Sequence, residues 1–365
     1  MSQEPIEYQF VNDAATLNEL VERISLAEVF ALDTEFIRER TYFPELCVLQ
    51  IATDDVVAAV DCLADTDLDP LFDTLLAPGK SWLLHSARQD LEVLFNRTGK
   101  LPEQLIDTQI AASFIGMPLQ IGLQGLLEET LQIEIGKQHT RANWKRRPLP
   151  DAFLSYALDD VRYLKPALKQ LQDRLDALSR ASWFEEECAR HLSLPIDPEI
   201  ETIFDRTKGM GRLKGRSRAA ARSLVAWREN RARTRDKPRR WILADDAIAR
   251  LAAALPESQA DLERIGDLPP RLISHSGSDL LAAIGNAPPL EERENSPIPD
   301  KAMVRALQSA VKTRAGELGF QPELLATRRD IAMLASGRQP DAVGSGWRSP
   351  ILAELLNQVS RDPAS

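Results

Sequence analysis

Cysteine is scarce in this chain of 365 residues. Cys47, Cys62 and Cys188 stand far apart, with no C-x-x-C pair and no histidine at zinc-site spacing, which excludes a disulfide framework and a structural zinc site. Nowhere do 18 consecutive apolar residues occur, so no membrane-spanning helix and no membrane partner are expected. The opening MSQEPIEYQF lacks the basic start and apolar run of a secretory signal. A reducing, cytoplasmic setting follows as the expectation. Lys208-Gly209-Met210-Gly211 has neither the Walker spacing nor its G-K-[ST] ending, so these glycines form no phosphate loop. No short internal repeat recurs, and nothing requires an obligate protein partner. A net positive charge is missing as well: 45 Lys and Arg face 55 Asp and Glu, giving −10. The total alone does not suggest nucleic acid.

What is present is a globular composition. The apolar share of 44% is enough to bury real cores. The length exceeds one ordinary domain, and two or three are expected. Leu17, Leu20, Val21 and Ile24 recur at helical spacing over 16–24. Residues 29–36, 47–52 and 56–61 are β-rich, the last two joined by a hairpin turn at Thr53-Asp54-Asp55, and Trp82 to His85 is a further strand. From about Pro102 the pattern is mostly helical. Strands first in a hairpin and then alternating with helices predict an α/β domain, a mixed sheet flanked by helices. Prolines in 192–198 and again in 286–300 mark two breaks. They divide the chain into 1–195, 200–285 and 290–365, the last two all-helical.

Acidic residues fall where a core strand is expected. Asp33 and Glu35 lie two apart at the end of an apolar run, hence on one face of a strand. Two like charges so placed repel unless a cation sits between them. A solvated pair of acids would read the same way. Ser86 and Gln89 have the spacing of a capping box, which predicts a helix start that places Asp90 in the first turn. There the helix dipole alone would favour it. Tyr156 and Asp160 share a helical face, with Asp159 rotated toward solvent. Asp107, before Thr108 and Gln109, reads as an N-cap.

In combination and order, D-x-E at a strand end, Asp90 in a helix and Y-x-x-x-D in a later helix resemble the three exonuclease motifs of the DEDD superfamily, in its tyrosine-bearing branch. DTEFIRERTYFPELCVLQIA, HSARQDLEVL, LIDTQIAASFIG, TRANWKRRPL and YALDDVRYL together resemble the bacterial ribonuclease D family across the first domain. The resemblance implies a ribonuclease H-like fold and a 3′→5′ exoribonuclease that releases nucleoside 5′-monophosphates, with tRNA precursors as the substrate class. Asp33, Glu35, Asp90 and Asp160 would then hold two divalent ions, Mg²⁺ or Mn²⁺. Such ions, ~3.5–4 Å apart, stabilise the attacking and leaving oxygens of an in-line displacement. All-oxygen ligands suit these hard metals. A tyrosine's ordinary pKa of about 10 makes Tyr156 a poor base, so its implied role is to orient the attacking water. Thr34, Phe36, His85 and Gln89 are candidates to meet the terminal nucleotide, and Tyr42 to stack on a base. The family carries an aspartate where Asn143 stands here, which leaves that residue's role open.

Basic residues are concentrated rather than absent. KQHTRANWKRR, 137–147, sets Arg141, Lys145 and Arg147 around Trp144, a pattern suited to phosphates and a stacked base. Residues 206–240 hold fourteen Lys or Arg against Glu229 and Asp236, a local +12 that leaves −22 elsewhere. Such asymmetry is an electrostatic footprint for a phosphate backbone. AWRENRARTRDKPRRWIL in this window resembles the start of an HRDC domain, a small nucleic-acid-binding module, and Arg228, Arg239 and Arg240 are its candidate RNA contacts. ELLATRRDIAMLASG and GSGWRSPIL resemble a second, more divergent HRDC-like domain, with Arg328 and Arg329 as candidates. Two other readings compete: a 3′→5′ DNA exonuclease of the same superfamily, and a non-catalytic RNA-binding protein on an inactive nuclease fold.

Overall fold

A computed structural model describes residues 8–136, 142–289, 300–341 and 343–361. Their packing divides the chain into two units. The first draws on Met1–Ile37, Leu46–Leu194 and Pro297–Ser365, the second on Arg38–Glu45 and Pro195–Ser296.

The first unit is built on a six-stranded sheet of β1 (Tyr8–Val11), β2 (Val29–Ile37), β3 (Glu45–Ala52), β4 (Val57–Asp61), β5 (Ser81–Leu84) and β6 (Gln104–Asp107). The spatial order is β1-β4-β3-β2-β5-β6. β3 and β4 form the expected antiparallel hairpin, while β1 runs parallel to β4, and β5 parallel to both β2 and β6. The sheet is therefore mixed, as the sequence predicts. Nearly every residue of β3 and β4 is buried, so both faces are covered and the run is continuous rather than alternating. The short edge strands β1 and β6 lie outside the expected set, each only four residues long.

Helices α1 (Ala14–Ile24), α2 (Asp69–Leu75), α3 (Arg88–Thr98), α4 (Thr108–Phe114), α5 (Leu123–Leu131), α6 (Asp151–Arg162), α7 (Leu164–Ala177) and α8 (Ala181–Ser193) surround that sheet. The apolar stripe of α1 is Leu17, Leu20 and Ile24, all buried, with Asp13 capping its N-terminus. Helix α3 stops at Gly99, whose left-handed φ of 69° lets its N–H reach the Phe95 carbonyl. The N-terminus of α3 departs from expectation. Ser86 and Gln89 form no capping box; Ser86 has a φ of 63°, and the helix begins at Arg88 without a side-chain cap.

The C-terminal helices belong to this unit, whereas composition sets them apart as a third stretch. The corresponding helices lie at the end of the chain, beyond those of the second unit, which comprises α9 (Ile200–Arg206), α10 (Gly215–Arg235), α11 (Arg239–Ile242), α12 (Asp245–Ala254), α13 (Gln259–Arg264) and α14 (Pro270–Gly285). They are α15 (Lys301–Leu318), α16 (Pro322–Leu325), α17 (Arg328–Ala335) and α18 (Arg348–Arg361). Leu307, Val311, Phe320, Leu325, Trp347 and Leu352 share one core with Phe114, Leu171 and Phe184. Trp347 stacks on Trp183 at 5.0 Å between centroids and meets Phe114 edge-on at 5.1 Å. The backbone approach is close as well: a side chain at Gly116 (φ 93°) would stand 2.5 Å from the Gly319 carbonyl oxygen.

The second unit has its own core of Phe204, Leu224, Val225, Ile248, Leu251, Leu262 and Leu280. Helix α10 is followed by its C-cap Asp236, in a left-handed conformation with φ 45°. Its carboxylate accepts hydrogen bonds from the backbone N–H groups of Tyr42 (2.9 Å) and Phe43 (3.0 Å).

Candidate active site

Strand β2 carries Asp33 and Glu35 on one side and the buried Thr34 on the other, the consequence of its two-residue period. Its parallel neighbour β5 ends at Leu84, and the chain then turns into α3, where Asp90 is 7% exposed. Both thus lie toward the carboxyl ends of parallel strands, the usual crevice for ligands in such sheets. Helix α6, packed across β2 and β4, brings Asp160. Carboxylate oxygens of Asp33, Glu35 and Asp160 all fall within 4.8 Å of one another, a grouping that could hold a metal ion.

Asp90 joins them electrostatically. Burial raises the pKa of Asp33 well above the carboxylate range, and the charges of Asp90, Asp160 and Glu35 add to it. Burial followed by Asp160 and Asp90 pushes Glu35 up to about 9. Asp160 rises to about 7 through burial, Asp159 and Asp90, against a lowering hydrogen bond from Tyr156. Asp90 rises to about 6, chiefly by burial, although the Thr34 hydroxyl donates to its Oδ1 at 2.5 Å. Four acids are gathered from 33, 35, 90 and 160, and each is held away from its ordinary ionisation. Either protons or a cation among them relieves that penalty.

Asp107 holds the turn before α3. Its carboxylate accepts from Ser86 N (3.0 Å), Ala87 N (2.9 Å) and Gln109 N (2.8 Å), so the expected N-cap also sets the approach to Asp90. Trp144 is 2% exposed and packs against Phe153 at 5.3 Å and Tyr156 at 6.3 Å between centroids. Asp159 pairs with Arg162 at 2.9 Å.

Several candidate RNA contacts are occupied inside the protein. The Thr34 side chain is committed to Asp90. Both ring nitrogens of His85 are taken, Nδ1 by the Thr108 hydroxyl and Nε2 by the Ile121 carbonyl, each at 2.9 Å. A carbonyl can only accept, so Nε2 carries the proton, and burial lowers the ring's pKa. Trp144 is a core residue rather than an open stacking surface. Arg147 makes a bidentate pair with Asp61, at 2.5 and 2.6 Å, and also binds the Trp144 and Cys47 carbonyls. Phe36 is half-buried, while Gln89 and Lys145 are exposed. Arg141 lies outside the described residues.

The second unit repeats the lesson. Arg228, 2% exposed, pairs with Asp245 at 2.5 Å and reaches the Leu243 carbonyl. Arg239 grips both oxygens of Glu229 at 2.6 Å. Tyr42 is buried, with its hydroxyl bonded to Glu229, Arg233 and Arg239, so it is no base-stacking residue. Arg228 is a buried guanidinium that keeps its partner, whereas Arg239, with its side chain 36% exposed, is held by Glu229. Arg240 is exposed. This division is not legible in the pattern of charges because burial and pairing decide it.

Residues 8–176 match the family described as 3′-5′ exonuclease, and 217–284 match the HRDC domain. The chain is 36% identical to ribonuclease D of Zymomonas mobilis, over 95% of this chain and 92% of that one. It is 32% identical to ribonuclease D of Pseudomonas paraeruginosa, over 96% of each. The crystal structure of Escherichia coli RNase D, an exoribonuclease involved in structured RNA processing, superposes with a TM-score of 0.85 at 30% identity, covering 98% of this chain and 99% of that one.

Proposed function

The chain belongs to the ribonuclease D family of 3′→5′ exoribonucleases, and on that premise we propose that Asp33, Glu35, Asp90 and Asp160 hold two divalent cations, Mg²⁺ or Mn²⁺, for hydrolysis of RNA from its 3′ end. The gathering of four carboxylates, Asp90 buried and the half-buried Asp33, Glu35 and Asp160 within 4.8 Å of one another, carries this reading. The donor set fits: all ligands are hard oxygens, and their four charges match two divalent ions. When bound, the cations supply the positive charge that offsets the carboxylates and polarises the scissile phosphate and the attacking water.

The protein's own groups hold and orient. Thr34 fixes one oxygen of Asp90 by donating its hydroxyl to Oδ1. The Tyr156 hydroxyl, hydrogen-bonded to Asp160, stands where it orients the water for in-line attack. Trp144 and Phe153 keep the Tyr156 ring in place. Gln89, exposed on the first turn of α3 beside Asp90, meets the terminal nucleotide, and Phe36 and Lys145 assist. The products are nucleoside 5′-monophosphates.

The substrate is a structured RNA with a single-stranded 3′ tail, tRNA precursors foremost, in the cytoplasm. The Escherichia coli relative's role in structured RNA processing supports this. The helical module at 200–285 holds the RNA, and 290–365 is a second HRDC-like domain, docked against the exonuclease core at 1–195. No helix among the described residues is long and apolar enough to cross a membrane. The test incubates 5′-labelled tRNA precursor and matched single-stranded DNA with Mg²⁺, Mn²⁺ or chelator, alongside Asp160→Asn. Shortening of RNA from the 3′ end that needs metal and Asp160 is expected. Trimming that survives chelator or Asp160→Asn overturns the metal assignment, and faster cutting of DNA overturns the substrate.

A further inference from the structure

The second unit contains a cleft of about 510 Å³, within the roughly 300–1,000 Å³ typical of ligand sites. It is lined by Trp227 and Trp241, and by Arg235, Arg240 and Arg271. Trp241 is 61% exposed, whereas Trp82, Trp144 and Trp347 are buried. A large apolar ring left in water costs free energy unless a partner covers it. Arg231 also lines the cleft, but it is paired with Asp279 and lies over the Trp227 ring at 5.3 Å. Arg250 is neutralised by Asp246. The guanidinium groups of Arg235, Arg240 and Arg271 have no ion pair or hydrogen-bond partner among the described residues. Asp267 is the remaining acid on the lining, so the unpaired balance is positive.

An open indole beside three unpaired guanidiniums suits a ligand that combines a flat aromatic face with closely spaced negative charges. Single-stranded RNA has both. Duplex RNA offers phosphates but keeps its bases stacked inside. We propose that this cleft is a base-stacking site for single-stranded RNA, with an unpaired base on the Trp241 indole and flanking phosphates on Arg235, Arg240 and Arg271. The assignment rests on the reading that the chain acts on RNA. It replaces Arg228, which is buried, and Arg239, which is paired with Glu229, with unpaired residues open to solvent.

The experiment measures binding of the full chain to a labelled single-stranded RNA oligonucleotide, in chelator, as a function of salt. Base stacking on an aromatic side chain contributes about 1–3 kcal/mol per base, so Trp241→Ala lowers affinity roughly tenfold while Trp241→Phe retains most of it. Parent tryptophan fluorescence is quenched on binding, and less so in Trp241→Phe. Arg240→Gln and Arg271→Gln each flatten the log–log salt slope by about 0.7. Blunt duplex RNA binds parent and Trp241→Ala alike. Unchanged affinity in Trp241→Ala overturns the proposal, as does an equal loss on duplex. A comparable loss on polyglutamate overturns it too, since the cleft would then take an acidic polypeptide. Hydrolysis of a ribodinucleotide reports on the carboxylate site alone and stays at the parent rate in Trp241→Ala. If Asp160→Asn still cleaves the dinucleotide, the active-site reading fails while the stacking result stands.

Discussion

At the scale of single residues, Thr34 and Tyr156 each govern one carboxylate. The Thr34 hydroxyl donates to Asp90 at 2.5 Å inside the protein, where an oxygen stripped of its donor is costly. Thr34→Val keeps the shape and removes the donor. It is expected to destabilise the metal-free fold by about 1–3 kcal/mol and to weaken Mn²⁺ binding several-fold, read by denaturant unfolding and calorimetric titration. A variant with parental metal affinity and stability would show that Thr34 does not hold Asp90. Tyr156→Phe separates orientation from metal binding. Loss of a positioned proton-handling group typically costs about 10²–10⁴ in rate, so kcat should fall by that order while Mn²⁺ affinity stays within a few-fold. Parallel loss of both would make Tyr156 part of the metal site instead.

At the scale of elements, the support of α6 is the testable feature. Trp144 is buried against Phe153 and Tyr156, and its Nε1 has no hydrogen-bond partner among the described residues. Trp144→Phe retains the ring contact and removes that orphan donor, so stability and kcat should remain near parental values. Trp144→Ala leaves a cavity worth about 3–5 kcal/mol and lets the Tyr156 ring shift, lowering kcat more than it raises KM. Equal kcat in both variants, measured below the melting point of each, would detach Trp144 from Tyr156. The same residue shows where sequence reading stops. KQHTRANWKRR reads as a basic loop with a stacking tryptophan, yet Trp144 and Arg147 turn inward, and only burial tells the two readings apart. β1 (YQFV) and β6 (QLID) escaped for a different reason: polar residues interrupt their apolar ones, whereas the equally short β5 carries the unbroken run Trp82-Leu83-Leu84. Ser86 misled through its spacing to Gln89, since its positive φ and its bond to Asp107 are tertiary effects. The acids were legible because chemistry requires their identity, and the order D-x-E, Asp, Tyr-x-x-x-Asp carries through whatever packs around it.

At the scale of the molecule, the acids make stability depend on pH and metal together. Burial and mutual repulsion raise Glu35 to about 9, Asp160 to about 7 and Asp90 to about 6, all above their unfolded values near 4. Between about pH 4 and 9 the metal-free folded chain therefore binds more protons at these groups than the unfolded chain. Their contribution to stability is fully present below the unfolded pKa and is lost as pH rises through the folded values. A divalent cation replaces those protons and competes with fewer of them as pH rises. The gain in melting temperature on adding Mg²⁺ to chelator-treated protein should thus be larger at pH 8.5 than at pH 5.5. Taking the difference at each pH cancels every group the metal does not touch. Glu35→Gln removes the carboxyl that is raised to about 9 and should reduce the contrast between the two pH values. A metal-induced shift that is equal at both pH values, or larger in acid, would mean that the cation binds elsewhere and that the four carboxylates share protons, not metal.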